Sequence, residues 1–189
     1  MKAIRSRHPK FLMAVVTDAR VNAAFRGERS DFKSKPDALI QVLRLMLQSD
    51  NFIGQVCYRA KARMQQLGIP FLPRVMHRLS IMSSGMMIGD PVVIEPGVYI
   101  VHGQVVIDGI TEIGSGAVIA PFTSIGLQAG VLVGPKIARN VNVGTGARVL
   151  GDLSVGTGAT IGANAVVTRD VEAGAVVVGV PARPVVPRS

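Results

Sequence analysis

Tryptophan is absent from this 189-residue sequence, and all aromatic residues together make up 4% of it. So few rings exclude a core built on aromatic packing, and they are not spaced as a platform for unpaired bases. Cysteine occurs once, at Cys57, so no disulfide can close within the chain and a reducing, cytoplasmic setting is expected. Cys57 lies in a helical pattern with no His or acid partner close in sequence, which reads as a buried structural thiol. No apolar run approaches the length of a membrane span. The run FLMAVV near the start is too short for a secretory core, and Thr17, Asp18 and Arg20 follow at once. Acids are scarce beside bases, 12 against 21, for a formal charge of +9. With no helix-turn-helix or RNA-binding signature, that excess reads as a basic surface suited to a polyanionic small ligand, not to nucleic acid.

What is plentiful is glycine, at 21 residues, within a composition 48% hydrophobic and 17% charged. That balance describes a packed protein with a narrow core of small and β-branched side chains. The pattern changes near Ser83–Gly85, dividing the chain into a helical part, 1–84, and a second part, 85–189. In the first, Ile40, Leu43, Met46 and Leu47 recur at helical spacing across Asp37–Ser49, with Asp37 as the expected cap. A second helix is predicted over Asn51–Leu67, with Ile53, Val56, Ala60 and Met64 on one side. Two more are predicted over Pro70–Met82 and residues 11–26.

After Gly85 the period becomes six. Ile88, Ile94, Ile100, Ile107, Ile113, Ile119, Ile125, Val131, Ile137, Val143, Val149, Val155, Ile161 and Val167 are all Ile or Val. Gly follows several of them directly, and small or β-branched residues such as Thr111, Ala117, Thr123 and Ala147 fall four places later. A hexapeptide period is the signature of a β-helix, each hexad being one short strand and a corner. Three hexads make a triangular coil, and coils stack at about 4.8 Å. The branched anchors point inward; so thin a prism gains stability by associating with copies of itself. The period alone does not fix the hand.

The register slips once. Ile100 to Ile107 spans seven residues, and the extra one falls within Val101-His102-Gly103-Gln104. The only histidine of the repeat half sits in that slip, and a local break in a strict pattern marks His102 as the candidate functional residue. Leu127–Gly134 keeps the hexad count but lacks polar corners, and is expected to form a small loop or irregular coil near the active site.

The segments IEPGVYIVHGQVVIDG, GPKIARNVNVGTGARVLGDLSVGTGATIGANAVVTRDV and GVPAR resemble the serine acetyltransferase branch of the hexapeptide-repeat acyltransferases, over nearly the whole chain. The resemblance implies a left-handed parallel β-helix preceded by helices, a homotrimer or dimer of trimers, and acetyl-CoA bound along a groove between prisms. It implies that His102 takes the proton of an acceptor hydroxyl. It implies that Gly126, Thr145, Gly146, Ala147, Arg148 and Gly158 line the CoA groove, with Arg183 of GVPAR meeting a CoA phosphate. Several family features differ. The acid that orients the histidine is replaced by Met87, and Asp108 or Asp90 is the expected substitute. The acid preceding the histidine is Val101, and the acceptor-holding Arg-His-Pro-Lys is Val133-Gly134-Pro135-Lys136. The family's tail, which ends in Ile and docks on the next enzyme of cysteine synthesis, is replaced by Val186-Pro187-Arg188-Ser189.

Histidine suits proton removal from an alcohol near neutral pH, a carboxylate would fix its tautomer, and backbone N–H groups near Gly103 would serve the oxyanion. Direct transfer is expected, with no covalent intermediate. Zinc chemistry of the kind this fold hosts needs three histidines at the metal, and only His102 lies in the repeat half, so no metal is expected. The alternatives are a sugar or polysaccharide O-acetyltransferase and a non-catalytic β-helix scaffold.

Overall fold

The computed structural model of the chain describes residues 2–185. Five helices come first: α1 Lys2–Arg5, α2 Phe11–Phe25, α3 Lys35–Gln48, α4 Phe52–Gln66 and α5 Leu72–Ser84. Gly85, in the left-handed region, ends α5. Ser34, not Asp37, caps α3, its hydroxyl accepting from Asp37 N–H. Asp37 instead holds Arg29 in an ion pair.

The strands then wind in coils. The first coil carries β1 Met87–Ile88, β2 Val93–Ile94 and β3 Tyr99–Ile100. The second has β4 Val106–Ile107, β5 Ile110–Ile113 and β6 Val118–Ile119. The third has β7 Ser124–Gly126, β8 Val133–Ile137 and β9 Asn142–Val143, and the fourth β10 Arg148–Leu150, β11 Ser154–Val155 and β12 Thr160–Ile161. The last holds β13 Val166–Val167, a single bridge at Val171 and β14 Val176–Val178. Stacked in parallel, they form three walls: β1-β4-β7-β10-β13, β2-β5-β8-β11 and β3-β6-β9-β12-β14. A final strand, β15 Arg183–Val185, turns back antiparallel on β14. Residues Val186–Ser189 lie outside the described residues.

The hexad anchors fill the prism. Ile88, Ile94, Ile100 and their successors to Val167 and Val177 form one buried cluster. Val131 is the exception. From Ile125 on the first wall to Ile137 on the second there is one hexad too many, and it leaves the coil as an exposed loop over 127–132. The insertion is one period long, so the spacing of the anchors conceals it.

The residues of each strand alternate in which neighbouring coil they bond. Met87, Gly89, Tyr99 and Val101 donate their N–H groups to Val105, Ile107, Ala117 and Ile119 of the second coil, while Gly116 and Phe122 donate back from the second coil to Gly97 and Gln104. The carbonyls at alternate positions of the first coil face the helices, and each finds a side-chain donor there. Ser80 Oγ donates to Met86 O, Lys61 Nζ to Ile88 O, Arg59 Nη1 to Ile94 O, Gln55 Nε2 to Val98 O and Asn51 Nδ2 to Ile100 O, at 2.5–3.2 Å. Tyr58 Oη adds a bond to Val92 O.

This requirement decides which side of α4 is buried. The apolar side expected from spacing, Ile53, Val56, Ala60 and Met64, is only half-buried. The polar side, Gln55, Tyr58, Arg59, Lys61 and Gln65, packs on the prism. The buried charges are partnered: Arg59 Nε lies 2.8 Å from Asp18 Oδ2, whose other oxygen accepts from Gly97 N–H, and Lys61 meets Asp90. Burial pulls the Lys61 ammonium below its usual value, and the Asp90 carboxylate opposes that. The α3 stripe likewise departs from expectation. Ala38, Val42 and Leu45 face inward, while Leu39, Ile40, Leu43 and Leu47 face solvent.

Replacing Arg59 by Ala strands the buried Asp18 carboxylate and two carbonyls, and is expected to cost about 3–5 kcal/mol of stability, read from urea unfolding. A second outcome concerns His8, buried edge-on to Tyr58 with neither ring nitrogen hydrogen-bonded. Desolvation, then the charges of Arg59 and Lys61, hold it at about 4 against an ordinary 6.5. The unfolded chain takes up a proton that the folded one refuses. Stability is therefore full above about pH 6.5 and falls as pH drops toward 4. Urea midpoints between pH 7 and 4.5 should show that slope, and His8→Leu should reduce it.

Candidate active site

Each strand ends at an edge of the prism. The first edge joins wall one to wall two, the second wall two to wall three, and the third wall three back to wall one. The extra residue of the seven-residue step sits on the third edge, between β3 and β4. His102, Gly103 and Gln104 all take left-handed backbone angles there, with φ of 54°, 75° and 54°. Two such residues are not glycine, so the corner is held by its surroundings. Gln104 N–H donates to Ser84 O at 2.8 Å. A side chain at Gly103 would place its first carbon 2.0 Å from that same Ser84 carbonyl. Asn51 grips Ile100 O just before the corner, and itself rests on Asn22 and Ser49.

The result is an imidazole aimed outward, its side chain 72% exposed. Its Nδ1 lies 3.5 Å from Oδ2 of Asp50, in the turn between α3 and α4. Asp50 was not among the residues expected here. Its own neighbours in sequence, Gln48, Ser49 and Asn51, carry no acid pattern, and the contact arises only from docking α4 on the first coil. The two acids expected at His102 lie elsewhere, at the far end of the wall-one strands. Asp90, on the first edge, pairs with Lys61. Asp108, also on the first edge, accepts from Gly109 N–H at 2.7 Å. Of the backbone N–H groups near Gly103, that of Gln104 is committed to Ser84.

The residues expected to line a CoA groove fall on all three edges. Thr145, Gly146 and Arg148 share the third edge with His102, below Phe122, and Arg148 Nη1 donates to the Phe122 and Gly146 carbonyls. Phe122 bonds Gln104 O through its N–H, and Gly146 bonds Pro121 O, so the edge is one continuous ladder of corners. Ala147 adjoins them, but its methyl is in the core. Gly126 is on the first edge and Gly158 on the second. Arg183 lies in β15 and lines a hollow of about 310 Å³ at the far end of the prism, beside Thr168, Arg169 and Glu172. The 127–132 loop leaves from the first edge, not beside His102 of the same chain. Cys57 is buried in α4, its thiol pushed up by desolvation. Among the described residues no three His, Cys, Asp or Glu side chains group as a metal site, and no helix is long and apolar enough to cross a membrane.

No family model and no curated protein sequence matches this chain. Solved structures do. Soybean serine acetyltransferase aligns over 95% of this chain and 71% of its own, at 27% identity and a TM-score of 0.77. Serine acetyltransferase of Neisseria gonorrhoeae, in complex with serine, aligns over 92% of this chain and 68% of its own, at 24% identity and 0.76. A serine acetyltransferase in complex with CoA aligns over 97% and 73%, at 23% identity and 0.76. The chain has the serine acetyltransferase fold. The likeness spans helices and coils alike. A solenoid of opposite hand would not superpose at such scores, so the left-handed sense implied by the sequence resemblance holds.

Within this serine acetyltransferase fold the corner at Gly103 allows a direct check of backbone strain. Gly103→Ala forces a side chain into a positive-φ position against a carbonyl, and is expected to cost more than about 2 kcal/mol, or roughly 4–8 °C in melting temperature. Calorimetry of the variant beside wild type measures it.

Proposed function

We propose that this chain is an acetyl-CoA-dependent O-acetyltransferase in which His102 is the general base. One observation carries the reading: an exposed imidazole stands at the one seven-residue step between Ile88 and Val167, in a chain with the serine acetyltransferase fold. The chemistry is direct transfer. His102 removes the proton of an acceptor hydroxyl as its oxygen attacks the thioester carbonyl. The tetrahedral intermediate collapses, the C–S bond breaks, and the CoA thiolate takes the proton from the imidazolium. The buried Cys57 in α4 takes no covalent part. A basic surface suits the phosphates of CoA, and Arg148 on the edge of His102 is the nearest candidate to meet them.

The reading includes assembly into a trimer. The corners assigned to CoA lie on three edges of one prism, which a single chain cannot bring together; copies side by side bring different edges to one groove. The protein is read as cytoplasmic, with a lone buried thiol.

For the acceptor, one observation favours a sugar or polysaccharide hydroxyl over serine. The position where the resembling family carries a clamp histidine is Gly134, in β8. A side chain there would lie 2.1 Å from Thr111 Oγ1, itself buried and bonded to Asp108 O. The clamp is not merely absent; this backbone leaves no room for it.

A CoA-thiol release assay across serine, homoserine and a panel of sugars tests both points. Release with at least one hydroxyl acceptor is expected, and His102→Ala should lower turnover roughly 10²–10⁴-fold. Wild-type turnover in that variant would refute the base, and release with serine alone would refute the sugar reading.

A further inference from the structure

We propose that Asp50 is the positioning residue for His102, supplied by the helical segment in place of an acid on the prism. The inference rests on His102 being the base. In the resembling family that acid belongs to the first coil, at the place held here by Met87. Met87 is a half-exposed apolar residue of β1. Asp90 and Asp108, the other acids close to the step in sequence, serve Lys61 and the Gly109 amide. Among the described residues, the carboxylate at ion-pair distance from the imidazole is that of Asp50, at 3.5 Å from Nδ1.

The side chain of Asp50 is 80% exposed, so the pair adds little to folding. Its value is orientation. Asp50 lies between Ser49 and Asn51, both buried and bonded to each other, and Asn51 also holds Asn22 and the Ile100 carbonyl. The same Asn51 that anchors the backbone before His102 thus anchors the backbone beside Asp50. The carboxylate and the ring are fixed to one another through a single buried amide. With Asp50 facing Nδ1, the proton of the neutral ring resides on that nitrogen, and the Nε2 lone pair is left to accept the hydroxyl proton. When substrates cover the corner and displace water, the carboxylate stabilises the imidazolium more strongly than in the free protein. A separation of 3.5 Å fits a contact that tightens in the ternary complex.

The test uses the full chain in the thiol-release assay, with Asp50→Asn, Asp50→Ala, Asp50→Glu, His102→Ala and the double variant Asp50→Asn/His102→Ala. Asp50→Asn should lower kcat by roughly 10-fold or more, with KM for acetyl-CoA and the melting temperature unchanged, because an exposed side chain contributes neither. Asp50→Ala should behave like Asp50→Asn, and Asp50→Glu should recover part of the rate. The double variant should match His102→Ala alone, since a residue acting through the base has nothing left to act on. Unchanged kcat in Asp50→Asn with an inactive His102→Ala overturns the Asp50 assignment alone. So does a further loss, by the same factor, in the double variant. A fully active His102→Ala overturns the base, and this inference with it.

Discussion

The outermost coil of a stacked parallel prism has backbone groups that no further coil can meet. Residues along each strand alternate between the coil above and the coil below, so half of the first coil's backbone groups, its carbonyls among them, turn toward the helices and find no strand there. A buried carbonyl without a donor is costly, and six of them at one end of so small a protein would leave it unstable. The helix α4 answers with Asn51 at its cap, then Gln55, Tyr58, Arg59 and Lys61, spaced to reach three walls in turn. The other unusual choices of the helical segment follow. Arg59 and Lys61 are buried because carbonyls need their protons, and Asp18 and Asp90 are where they are because those cations need countercharge.

The same constraint explains which features of the sequence were legible. The repeat half was, because a prism only one side chain wide tolerates nothing but Ile or Val at each inward position. Its left-handed coil was readable only through likeness to known chains. Val131 was misplaced because a loop one period long leaves the count of anchors intact. In the helices, existence and approximate limits were visible, but not orientation. Helical spacing of apolar residues marks a buried stripe when a helix packs on an apolar neighbour; α4 packs on a row of acceptors, so its polar side turned in. On α3 the stripe of Leu39, Ile40, Leu43 and Leu47 stands outward in the single chain.

For the site, the break in period located His102 and nothing more. The acids nearest in sequence and in hexad phase, Asp90 and Asp108, occupy another edge, because six residues along a coil is one whole wall away. Asp50 had no signal of its own. Its meeting with His102 depends on how α4 seats on the first coil, which in turn depends on the carbonyls of that coil. The glycines and Arg148 expected along a groove were readable as corners, but a period common to all three edges does not say which corner faces which.

At the far end of the prism β15 folds back antiparallel against β14 and covers the last strand of the third wall. A wall that ends in a reversed strand offers no parallel continuation of its own ladder. Parallel solenoids with bare ends are templates for fibre growth. Here a helix seals the third wall at its first strand and a reversed strand ends it at its last, so that wall cannot be continued in parallel from either side.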